Sequence, residues 1–208
     1  MLLTILTILF VVLLMIFVNA LYVAGEFSAV SARKTRIIQL AEGGNRLAQS
    51  LLPVLQDPHK LDNYIAASQV GITLSSIVLG IYGEQQIAPR IAPLIAKLPL
   101  GLGSANGEYA AATGISATLV LLFLTTLQVL LGELVPKSIG VQYPEELALA
   151  TALPMKWSAD YLLKPLIILL NGSGALILKL FGIEYGSSHA HVHSPEEIQI
   201  LVRESYRG

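Results

Sequence analysis

Three long runs without a charged side chain constrain this chain more than any other feature: Met1 to Gly25, Asn63 to Gly83 and Tyr109 to Gly132. A helix crossing a hydrocarbon core of about 30 Å needs about 20 mostly apolar residues, and each run is long enough. The first contains the almost wholly apolar stretch Leu2–Leu14, and the third carries the block Leu119–Leu124. The second is less oily, with Ser68, Gln69, Thr73, Ser75 and Ser76 inside it. A cleaved signal peptide would show a basic start and an apolar region of only about 7–15 residues. The N-terminal run has neither, so it reads as a first transmembrane helix.

Composition agrees. Apolar residues make up 54% and charged residues 13%, with a mean hydropathy of +0.67. A soluble domain carries about 25% charge, so much of this surface is built for lipid. A net charge of -1 gives no reason to expect nucleic acid as a partner. The chain has no cysteine, which excludes disulfides and thiolate metal sites and leaves hard oxygen ligands.

The connections predict the orientation. Arg33, Lys34, Arg36, Arg46 and Lys60 follow the first run, whereas the loop Pro99–Glu108 has no Lys or Arg. The positive-inside rule then puts segment 33–62, and the chain beyond the third helix, in the cytoplasm. The N-terminus and the 99–108 loop fall outside. A fourth apolar stretch, Leu153 to Gly182, is interrupted by Lys164 and Lys179, and Asn171-Gly172-Ser173-Gly174 within it is expected to break the helix. Its short uncharged core reads as two helices lying at the cytoplasmic face, in preference to a fourth span.

The tail Tyr185–Gly208 changes character. Gly186-Ser187-Ser188 reads as a linker, and Ser194-Pro195-Glu196-Glu197 as a helix start with Pro at the first position. A soluble domain is expected to follow. His189, His191 and His193 alternate here, a pattern read as linker composition rather than as a transition-metal site.

Polar residues at membrane depth are costly and mark candidate functional positions. Glu133 ends the third run in Leu131-Gly132-Glu133-Leu134-Val135-Pro136-Lys137. Pro136 has no N–H to donate, which frees a carbonyl one turn earlier. A freed carbonyl beside a carboxylate suits Mg2+ or another hard cation. An equally admissible reading pairs Glu133 with Lys137 at i+4 at the interface. On the second helix Gln69, Thr73, Ser76, Gly80 and Gly83 form one small, polar face, with Ser68 and Ser75 in an adjacent row. Helix packing explains such a face, and so does ion binding at one of its ends. The first helix adds Asn19, Glu26 and Ser28, with Arg33 and Lys34 as possible partners for Glu26.

These motifs resemble a known family. Asn19-Ala-Leu-Tyr-Val-Ala-Gly-Glu-Phe-Ser28 with Ser31-Ala-Arg-Lys34 is similar to the first-helix signature of the CorB/CorC/CNNM (cyclin-M-like) magnesium transporters. Gln69-Val-Gly-Ile-Thr-Leu-Ser-Ser76 with Gly80 and Gly83-Glu84 resembles the second, and Gly132-Glu-Leu-Val-Pro-Lys137 the third. Ser194-Pro-Glu-Glu-Ile198 resembles the linker into a pair of CBS domains. The resemblance implies an all-α integral membrane fold: a homodimer with three transmembrane helices per subunit and a cytoplasmic juxtamembrane helical belt. Residues 1–136 would form the core, with spans near 3–31, 63–88 and 109–136. Residues 137–184 would form the belt, and 185–208 the linker. It also implies Mg2+ export coupled to Na+ influx through the cell (inner) membrane, with ATP acting only through CBS domains beyond this sequence.

Carried over by position, the resemblance places Mg2+ among Ser28, Thr73, Ser75, Ser76, the Gly132 carbonyl and Glu133. Asn19, Glu26, Gln69, Pro136 and Lys137 would stand around them. Vertebrate relatives carry Asn where this chain has Glu26, which argues against an essential role there. The runner-up reading is a Mg2+ sensor that signals without ion flux, and the third a plain membrane anchor. No nucleophile–base pair, phosphate-binding glycine loop or zinc set is present, so no enzyme is expected.

Overall fold

A computed structural model describes residues 2–97 and 105–182, and side chains throughout except at 105–110. Most of the 99–108 loop, the 185–208 linker, the alternating histidines and the Ser194–Glu197 helix start lie outside the described residues. The chain divides into two compact units at Ile167/Ile168.

In the first unit α1 (Leu2–Ser31) is a single uninterrupted helix, as its charge-free sequence dictates. Two short amphipathic helices follow, α2 (Lys34–Glu42) and α3 (Arg46–Gln56). The turn between them needs Gly44, whose φ is +86°. Asn45 then caps α3, its Oδ1 accepting from Leu47 N at 3.0 Å and Ala48 N at 3.1 Å. Asp57 caps α4 (Pro58–Gln86) in the same way, accepting from His59 N at 3.0 Å, with Pro58 at the first helical position.

After α4 comes α5 (Ala88–Ile95), then α6 (Ala105–Leu127), a π-helical turn (Gln128–Leu134), α7 (Val135–Gln142) and α8 (Pro144–Trp157). A second π-helical turn, Ser158–Leu162, leads into α9 (Lys164–Leu180). Among the described residues there is no strand.

Among the described residues three helical stretches are long and apolar enough to cross a membrane: Leu2–Ser31, Pro58–Gln86 and Ala111–Gln142. The third runs on through the first π turn and past Pro136, six residues beyond the expected end. The pair Pro144–Leu162 and Lys164–Leu180 passes that test only together, across a bend at Leu163. The break expected at Asn171–Gly174 is absent, because α9 runs straight through it. Interior glycines cost only about 1 kcal/mol each, less than leaving backbone groups unpaired in an apolar setting.

The spans bury one stripe and expose the rest. On α1, Phe10 is 65% and Phe17 63% exposed, surfaces that suit lipid and not water. The buried side packs at two levels. Val12 and Ile16 of α1 meet Leu79, Ala88, Val120 and Leu124. At the other end Ile37, Leu51 and Leu55 of α2 and α3 share one buried cluster with Ala29 of α1 and Ala148, Ala152 and Met155 of α8, with α2 packed on α3 and both α3 and α1 packed on α8. These short helices therefore form a shelf around the Ser31 end of α1. Arg33 Nε donates to Glu145 Oε1 at 2.8 Å across it. That contact holds the Glu145 carboxyl below its ordinary pKa and raises the Arg33 guanidinium, the side-chain hydrogen bond being the main cause in each case.

Glycines set the closest approaches between spans. A Cβ on Gly71 of α4 would run into the Tyr22 ring of α1. One on Gly140 of α7 would sit 3.3 Å from Phe27 Cβ and 3.4 Å from Ser28 N. Small residues at such positions let helix backbones meet in a bilayer.

Candidate cation site between the three spans

Pro136 has no N–H for the carbonyl four residues earlier, which belongs to Gly132. Gly132 lies in the π turn Gln128–Leu134, where Val135 N reaches back five residues to Leu130 O. The freed Gly132 oxygen accepts from Asn19 Nδ2 at 3.1 Å, a side chain with no exposure at all. Asn19 Oδ1 in turn accepts from Ser75 Oγ at 2.9 Å. Gly132 must be glycine for this approach, since an added Cβ would lie 2.8 Å from Asn19 Nδ2. One residue along, Gln128 Nε2 donates to Ser76 Oγ, whose hydroxyl also donates to Ile72 O at 2.7 Å. All three spans are thus tied into one buried polar knot.

A second polar region opens beside it. A groove of 510 Å³ is lined by Glu26 and Phe27 of α1, Gln69 and Thr73 of α4, and Glu133 and Lys137 of the third span. Val23, Ile72 and Leu134 supply its apolar wall. Among the described residues Glu133 makes no ion pair. The i+4 pair with Lys137 that the sequence permits is not formed. A π turn carries more than four residues per turn, so position 137 does not return above position 133. The Lys137 ammonium lies instead over the Phe27 ring, 4.6 Å from its centroid.

The candidate residues are thereby sorted. Thr73 and Glu133 line the groove, together with Glu26, Gln69 and Lys137. Ser75, Ser76 and Gly132 belong to the knot with Asn19. Ser28 is fully buried beneath Gly140 and donates to Gly25 O at 3.3 Å, so it stands in neither group. Pro136 is buried and acts through the donor it lacks. Thr73 Oγ1 donates to Gln69 O at 2.8 Å, so its oxygen keeps lone pairs to offer a cation. No cluster of three His, Cys, Asp or Glu residues occurs among the described residues. A cation here would meet two carboxylates, a hydroxyl and an amide, a hard-oxygen set.

The sequence reading missed two members of this region. Gln128 was detectable as the one amide in the third charge-free run, four residues before Gly132. Phe27 carried no signal beyond its place beside Glu26.

The family model of the cyclin M transmembrane N-terminal domain matches residues 8–208. The chain belongs to this cyclin M family. Relatives include the UPF0053 proteins YhdT and YhdP of Bacillus subtilis strain 168. YhdT is 38% identical over 194 residues, covering 93% of this chain and 40% of its own length. For YhdP the identity is 36%, covering 96% of this chain and 43% of the relative. The UPF0053 protein sll0260 of Synechocystis is also 36% identical, over 94% of this chain and 41% of that one. The chain thus spans about two-fifths of the length of these curated relatives. Membership accounts for the multi-pass architecture. The motifs Asn19–Ser28, Gln69–Ser76 and Gly132–Lys137 fall on the three spans that meet at the knot and groove.

Proposed function

We propose that this chain is the ion-conducting part of a magnesium transporter that exports Mg2+ in exchange for Na+. The observation that carries the reading is the groove itself. Carboxylates and neutral oxygens from three separate spans, Glu26, Gln69, Thr73 and Glu133, face one space inside a helix bundle built for lipid. Carboxylates placed so are costly without a cation to meet them. Mg2+ dehydrates reluctantly and keeps waters where it can, and a 510 Å³ groove has room for a partly hydrated ion.

Glu133 is the principal ligand in this proposal, with Thr73 as a neutral donor. Ser75, Ser76 and the Gly132 carbonyl, now engaged in the knot, would join when the helices shift. Ser28 contributes only if the Gly140 contact opens. Four basic residues between the first two spans and Lys60 in the first turn of the second, against Arg90 and Lys97 in the second connection, favour a cytoplasmic 33–62 segment. The Pro99–Glu108 loop alone overstated that asymmetry, because the connection begins at Ile87 and carries both of these cations. The groove lies toward the α2–α3 side of the bundle and would face inward. A homodimer and ATP control through CBS domains belong to the same proposal.

Proteoliposomes loaded with Mg2+ test it, with and without an inward Na+ gradient. Gradient-dependent Mg2+ efflux by the full-length protein is the expected result. Saturable Mg2+ binding without flux would replace transport by the sensor reading.

A further inference from the structure

Lys137 has no assigned task, yet its position is unusual. The π turn carries it off the Glu133 stripe, and its ammonium sits on the Phe27 ring while its stem lines the same groove as Glu26 and Glu133. A lysine with two carboxylates beside it ordinarily pairs with one of them. Here the aromatic face competes, as such faces do where water is scarce. The four-carbon stem is long and flexible, so the same ammonium can reach from the ring toward either carboxylate.

We infer that Lys137 is the resident counter-cation of the groove: held on the Phe27 ring beside the carboxylates, it keeps the groove's affinity for a divalent ion down. The inference rests on the proposed cation site. Removing the ammonium makes the groove more negative by one charge. A divalent ion arriving beside Lys137 meets repulsion, which weakens binding and speeds release. Phe27 sets how far the ammonium stays from the carboxylates, so ring and lysine act in opposite directions.

Mg2+ titration of the full chain in lipid nanodiscs, followed by calorimetry, tests this with two substitutions and their combination. Lys137→Gln is expected to tighten Mg2+ binding about threefold to tenfold, the range of one charge at partial screening. Phe27→Leu is expected to weaken it about twofold to fivefold, because the ammonium loses its seat and turns to the carboxylates. The double variant should match Lys137→Gln, since the seat matters only while the ammonium is there. Simple damage to the fold would weaken binding in all three. Unchanged or weaker binding in Lys137→Gln overturns the inference while leaving the transporter reading intact. No Mg2+ binding by the unsubstituted chain overturns both.

Discussion

The knot and the groove are built from the same three spans and adjacent residues, and they behave as opposites. In the knot the polar groups bond one another: Asn19 spends its amide on Gly132 and its oxygen on Ser75, and Ser76 accepts from Gln128. In the groove the carboxylate of Glu133 faces open space and the one ammonium turns to a ring. Buried polar groups that satisfy one another define a unique packing. Polar groups left without partners define a place for something else. A single helical turn thus separates a fastening from a receptor, and residue type alone does not say which is which.

Three substitutions sharpen this contrast. Asn19→Leu should do most damage to the fold, because it strands the Gly132 carbonyl in a dry interior and leaves the Ser75 hydroxyl only its bond to Ile72 O. A loss of about 2–4 kcal/mol is expected, read as a Tm lowered by several degrees in detergent with or without Mg2+. A Tm equal to that of the unsubstituted protein would mean that the knot is not a fastening. Glu133→Gln should leave thermal stability without Mg2+ within about 0.5 kcal/mol, yet weaken Mg2+ binding at least about tenfold, the equivalent of about 1.4 kcal/mol. Mg2+-dependent stabilisation that survives this change would remove Glu133 from the ligands.

The smallest effect belongs to the Arg33–Glu145 pair on the shelf. Glu145 has its pKa depressed in the folded state, so its contribution is present above the unfolded carboxyl pKa and fades as pH falls through the lower folded value. Arg33 stays charged throughout. With the Arg33 side chain 75% exposed, solvent screens most of the gain. Glu145→Gln should lower Tm by no more than about 2 °C at pH 7 and should converge with the parent protein under acid. A difference that persists at pH 3 would point to packing, not charge.

Much of the fold was legible because it depends on length and charge. Charge-free runs of more than 20 residues have few options, and the three spans appear where those runs lie. Helix ends were less legible. The third span outlasts Pro136 because a π turn absorbs the proline, and nothing in Gly132–Lys137 announces winding by five. The site was legible as a set of residues but not as a partition. Spacing by three and four put Gln69, Thr73 and Ser76 on one face, yet Thr73 reaches the groove while Ser76 bonds Gln128 across the bundle. That difference depends on what the neighbouring helix presents, information that no single segment contains. Ser28 illustrates the same limit, since only the docking of Gly140 covers it.

The π turn in the third span has one more consequence, for phase. Ala112, Ser116, Val120, Leu124, Gln128, Gly132, Pro136 and Gly140 are all buried, a stripe that repeats every fourth residue. In a straight α-helix a step of four overshoots a full turn by about 40°, so such a stripe should wind steadily away from its partners. Seven residues of slower winding take back much of the accumulated drift just where α1 must be met. Pro136 and Gly140 therefore face inward with Val120 and Leu124, and a helical wheel drawn at constant pitch along this span would assign half of that stripe to the lipid.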